Sequence, residues 1–146
     1  MTATAERQME LTLPMVPDIE IAAARAAGNL ARELGMASES IDEMAHAMIE
    51  ACINAREHSG SEDRRIYVRI NGTSLGEGNS RIDIWITDHG KGFNVTEARS
   101  RRQTLGAAHK RGWGLQIIEA HMDEVSINTT ADGTTIHMVK LGKRSE

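Results

Sequence analysis

The chain has 146 residues, 40% of them hydrophobic, and a formal net charge of −4; this is enough for one domain with one core, and the acidic balance lacks the basic face that displaces counterions from nucleic acid. One Phe, one Tyr and two Trp leave an aliphatic core, and the single cysteine, Cys52, excludes an intramolecular disulfide, a zinc ribbon and a CxxC redox pair. The N-terminal stretch lacks a signal-peptide layout and no apolar run nears the roughly 18 residues of a membrane span, so a cytoplasmic protein without nucleic-acid or membrane partners is predicted.

Gln8 to Leu13 reads as a short strand. Pro17-Asp18 then opens an Ala-rich helix from Ile19 to Leu34, with Pro at a first helical position and Gly35 as the stop. Ser40 and Glu43 have capping-box spacing and predict the start of a second helix that runs to about Ser59-Gly60. Arg65–Ile70 and Arg81–Asp88 alternate as half-buried strands do, joined by a Gly-rich turn over Gly72 to Asn79. From His89 to Arg111 the charges and glycines show no period, and the segment reads as a loop. A third helix is expected from Gly114 to about Met122, then a hairpin of Val125–Thr129 and Thr134–Leu141 turning at Ala131-Asp132-Gly133. No repeat is visible, so residues 1–146 are expected to form one domain. The order predicts an α/β two-layer sandwich: a mixed, largely antiparallel sheet with helices on one face.

On the second helix, a projection at 100° per residue gathers Ile41, Met44, Ala45, Met48, Cys52 and Ala55 on one arc, the expected core face. Glu43, Glu50 and Asn54 fall on the far side, with Glu50 and Asn54 adjacent at i, i+4. A carboxylate beside a carboxamide offers a base and a neutral oxygen ligand, although a solvated polar face has the same pattern. The strand Ile82–Thr87 ends in Asp88-His89-Gly90-Lys91-Gly92. An Asp there can accept a hydrogen bond from an exocyclic amine, and glycines let backbone approach a flat ring; alone, the same residues also make ordinary turns. Arg111-Gly112-Trp113-Gly114-Leu115 runs straight into an apolar helix, whose free N–H groups can hold phosphate. The spacing is not that of a Walker A loop.

The succession Glu50-xxx-Asn54, Asp88-x-Gly90-x-Gly92, Gly112-x-Gly114 and Gly133-Thr134 resembles the N, G1, G2 and G3 boxes of the GHKL ATPase superfamily. The short form, with Met122–Ile127 and Gly133–Ile136 near its end, is similar to the anti-sigma-factor serine/threonine kinases of bacterial partner switching. This resemblance implies ATP and Mg²⁺ as cofactors, with Asn54 the protein ligand of the metal and Glu50 the general base. It implies that Asp88 reads the adenine amine with Thr134 nearby, and that Gly90 and Gly92 line the base. Gly112, Gly114 and Leu115 would contact phosphate. Residues 94–111 would form the ATP lid, which accounts for the basic cluster of Arg99, Arg101, Arg102, Lys110 and Arg111, with Lys110 or Arg111 reaching the γ-phosphate. It further implies a homodimer that phosphorylates a small STAS-type antagonist and sequesters a sigma factor. A switch kinase acting on a phosphatase or signalling complex, or a nonenzymatic ATP-binding adaptor, are the alternatives. Charged Arg56-Glu57, His58-Ser59-Gly60 and Trp113 depart from the family pattern.

Overall fold

The computed structural model describes residues 6–58, 60–90 and 115–142. The elements follow as β1 (Glu6–Pro14), α1 (Ile19–Glu33), α2 (Ser38–His58), β2 (Arg65–Gly76), β3 (Asn79–Asp88), α3 (Leu115–His121), β4 (Glu124–Thr130) and β5 (Gly133–Gly142). The strands make one five-stranded sheet in the order β1-β2-β3-β5-β4. Every described pairing is antiparallel, as the largely antiparallel expectation required, and no parallel pair occurs among the described residues.

The layering follows from side-chain alternation. Ile66, Val68 and Ile70 of β2, Ile82, Ile84 and Ile86 of β3, and Ile136 and Met138 of β5 are all buried, and they join Ala23, Ala27, Leu30, Met44, Met48 and Ile118 of the helices in one core. Each of the Ile, Val, Leu and Met side chains taken from water contributes roughly 1.5–3 kcal/mol. The intervening residues, among them Tyr67, Trp85 and His137, are half-buried on the opposite, helix-free face of the sheet. The described aromatic residues therefore decorate the open face and leave the core aliphatic.

Local details differ from expectation in three places. Helix α1 begins at Ile19 behind Asp18, which adopts a left-handed φ of 70° and makes no side-chain cap, so Pro17 lies ahead of the helix and not at its first position. Helix α2 starts at Ser38, and the Ile41 N–H donates to the Ala37 carbonyl, so Ser40 and Glu43 both lie inside the helix and not at its cap. Gly72 belongs to β2, and the turn falls at Glu77-Gly78. A Cβ on Gly72 would lie 2.5 Å from Leu30 Cδ2 and 2.6 Å from Leu34 Cδ1; this glycine lets α1 close on the sheet.

Candidate functional site

Helix α2 packs between α1 and α3 against the sheet, and this placement corrects the projection made from sequence. Ala47 and Ala51 are fully buried beside Met44, Met48 and Cys52, Ile53 is buried, and Ala45 is only half-buried. Asn54, expected on a polar face, is 2% exposed. The helix is covered from more than one side, so a single apolar arc underestimates what it buries. Asn54 and the half-buried Glu50 both make polar interactions within the protein, as a carboxamide taken out of water must. Burial pushes the Cys52 thiol up to about 12, with the charge of Glu20 adding to it, which agrees with its reading as a small apolar residue.

The part of α2 that carries Glu43 and His46 looks toward α3 and the far end of β5. The Lys140 ammonium lies 3.6 Å from Glu43 Oε1 and donates to the His121 carbonyl at 2.7 Å; the His46 and His121 rings are 5.3 Å apart. Arg56, a charged departure from the family pattern, turns toward α1 and meets the buried Glu20 at 3.5 Å.

The second group forms where β3 meets β5. Asp88 and Thr134 are direct cross-strand partners, and both are buried, 4% and 2% exposed. They continue the helix-facing register of Ile84, Ile86, Ile136 and Met138. The Gly90 N–H donates to Asp88 Oδ1 at 2.9 Å, which fixes the carboxylate, and the other oxygen accepts no hydrogen bond from the described residues. Burial pushes the Asp88 carboxyl above the usual carboxylate value; the Gly90 N–H and the nearby His89 oppose that shift. A buried carboxylate with an open oxygen is an acceptor waiting for a donor such as an amine. Gly133, at φ 149°, closes the hairpin beneath it, and a Cβ there would collide with the Asp88 carbonyl oxygen.

The described residues line two hollows near this end of the sheet. One of about 330 Å³ runs over the open face along Tyr67, Arg69 and Trp85; a smaller one of about 180 Å³ reaches Asp88, His89 and Gly133. The larger lies across the sheet from α2 and touches neither Glu50 nor Asn54. Leu115 opens α3 with its side chain in the core, which leaves only its backbone N–H for a phosphate. Gly92, Lys110, Arg111, Gly112, Trp113 and Gly114, with the expected lid at 94–111, lie outside the described residues. No three His, Cys, Asp or Glu side chains gather into a metal cage among the described residues, and no described helix is long and apolar enough to cross a membrane.

The Glu43–Lys140 and Asp63–Tyr67–His89 contacts were missed from sequence. Glu43 stands seven residues before Glu50, the same side of a helix, and that spacing was the available signal for the first.

Residues 16–140 match the family described as the histidine kinase-like ATPase domain. Among curated proteins, the chain is 25% identical over 142 residues to the serine-protein kinase RsbW of Bacillus licheniformis, covering 93% of this chain and 86% of that protein. It is 27% identical to the protein of the same name from Oceanobacillus iheyensis, over 82% and 78% of the two chains, and 25% identical to that of Bacillus subtilis, over 90% and 84%. Among solved structures, that of the RsbU and RsbW domains of Rv1364c from Mycobacterium tuberculosis superposes with a TM-score of 0.65 at 22% identity, over 96% of this chain. The chain spans 33% of that longer one.

Proposed function

Because the chain belongs to the histidine kinase-like ATPase domain family, we propose that it is an ATP-dependent serine/threonine-protein kinase that acts as an anti-sigma factor. In this reading residues 1–146 work as one ATP-binding unit in the cytoplasm. As a homodimer, the protein phosphorylates a Ser or Thr of a small STAS-type antagonist and otherwise sequesters a sigma factor. The relatives named serine-protein kinase support the reaction class.

The observation that carries the nucleotide assignment is Asp88: a buried carboxylate, held by the Gly90 N–H at 2.9 Å, whose second oxygen accepts no hydrogen bond from the described residues. An adenine amine satisfies that oxygen, and Thr134 is the cross-strand neighbour of Asp88 on β5. Asn54 suits Mg²⁺ for a different reason. That ion takes hard oxygen donors, keeps several waters and is held mainly by phosphates, so one buried carboxamide oxygen is a sufficient protein share.

Mg-ATP supplies the γ-phosphoryl group together with the positive charge that neutralises its oxygens. The protein's part is positioning and proton removal. Asp88 holds the base end, Asn54 the metal end, and Glu50, one helical turn before Asn54, takes the proton of the attacking hydroxyl. Gly92 lines the base, Gly112, Gly114 and the Leu115 N–H receive phosphate, and Lys110 or Arg111 meets the γ-phosphate. Transfer of radiolabel from γ-labelled ATP to the cognate antagonist tests the assignment. Glu50→Gln should bind nucleotide normally and lose transfer by about 10²–10⁴-fold, the usual contribution of a placed base. Wild-type transfer by that variant would remove Glu50 from the chemistry.

A further inference from the structure

We infer that Asp63, Tyr67 and His89 form a clamp on the open face of the sheet that holds the Asp88–Gly90 turn and so sets how strictly the pocket selects an amino-bearing purine. The inference rests on the reading of Asp88 as the adenine contact. Successive strand residues point to opposite faces, so while Asp88 enters the helix-facing layer, His89 emerges on the other side. There its ring stacks on Tyr67, centroids 4.6 Å apart with 25° between planes. The Tyr67 hydroxyl donates to Asp63 Oδ2 at 2.7 Å, and His89 Nδ1 lies 3.5 Å from the same oxygen.

Asp63 is itself anchored. Its Oδ1 accepts the Arg65 N–H at 3.2 Å, and the neighbouring Arg64 carbonyl accepts the Met15 N–H at 2.9 Å. Tyr67 is fixed by its strand, paired with Thr87 of β3, whose hydroxyl meets that of Thr135 at 2.9 Å. His89 is therefore tied to the α2–β2 connection and to β2, neither of which carries Asp88.

The consequence follows from the order of residues. Asp88 Oδ1 is committed to the Gly90 N–H, so the direction of Oδ2 depends on the backbone at Asp88, His89 and Gly90. Rotation of that turn would carry the His89 ring off Tyr67. The clamp opposes the rotation and keeps Oδ2 aimed into the pocket. Asp63, Tyr67 and His89 are positioning residues; none of them touches the nucleotide in this scheme.

Equilibrium titrations of Mg-ATP and Mg-ITP, whose base has a keto group in place of the amine, test the clamp on the full chain. Wild type should prefer ATP by about tenfold or more, the worth of one hydrogen bond to a charged acceptor. Tyr67→Phe, which removes only a hydroxyl, and His89→Ala should each narrow that preference about three- to tenfold through loss of ATP affinity, with ITP affinity kept within about twofold. An unchanged preference in both variants overturns the clamp, as do equal losses for both nucleotides, which would mark a structural role alone. Absence of any preference in wild type would instead remove the Asp88 reading on which the clamp depends.

Discussion

Asp83 lies on the open face, where Arg81 Nε donates to one carboxylate oxygen at 2.8 Å and His137 Nε2 stands 2.8 Å from the other. His137 stacks on Trp85 at 4.5 Å, and the Arg69 guanidinium covers the indole at 5.2 Å. Burial alone would raise the Asp83 carboxyl; the bonds from Arg81 and His137 overcome it and hold the group below its ordinary value of 3.8. A carboxyl depressed in the folded state stabilises the fold above the unfolded value, and that contribution is lost as pH falls through the folded one. Asp83→Asn should therefore lower stability at neutral pH. The gap to wild type should close as the pH drops below 3.8, as urea unfolding at several pH values would show. A gap that stays constant with pH would mean that Asp83 acts through shape and not charge.

At the scale of elements, two glycines divide packing from pocket. Gly72 faces the ends of Leu30 and Leu34, flexible side chains, whereas Gly133 faces the backbone of Asp88. Gly72→Ala should cost about 1–3 kcal/mol, the usual range for overpacking a core, and leave nucleotide affinity near wild type. Gly133→Ala should cost more, because neither the strained φ nor the carbonyl can give way, and it should weaken nucleotide binding by displacing Asp88. Urea unfolding and nucleotide titration on both variants would check this; equal nucleotide affinities would contradict the coupling of hairpin and pocket. The strands themselves were legible in sequence because β2 and β3 alternate Ile or Val with polar or aromatic residues, and one face is dry. Helix α2 was less so. Its burial comes from α1, α3 and the sheet together, so Asn54 is inside despite its polarity and Ala51 inside despite lying off the expected arc. The charged Arg56 has its partner on α1, Glu20, which no local pattern in the sequence indicates.

Over the whole molecule, the proposed site draws on segments far apart in the chain. Glu50 and Asn54 could be singled out because helical spacing is local, and Asp88, Gly90 and Thr134 because each ends or begins a strand. The Asp63–Tyr67–His89 cluster was not legible, since it joins a loop to two strands across the open face and depends on tertiary placement alone. On the proposed reading, the helix-facing end of the sheet receives an adenine base and its reverse side holds that end still. The Asp88 carboxylate is the part on which the account depends most. In Asp88→Asn the Gly90 N–H would still claim the side-chain oxygen, which turns the new NH₂ toward the adenine amine, donor against donor. Calorimetric titration of Mg-ATP into wild type and Asp88→Asn is therefore the most direct measurement. Wild type should bind nucleotide, and the variant should bind it about 10- to 100-fold or more weakly, with the fold retained. No binding by wild type, or equal affinity in the two proteins, would contradict it.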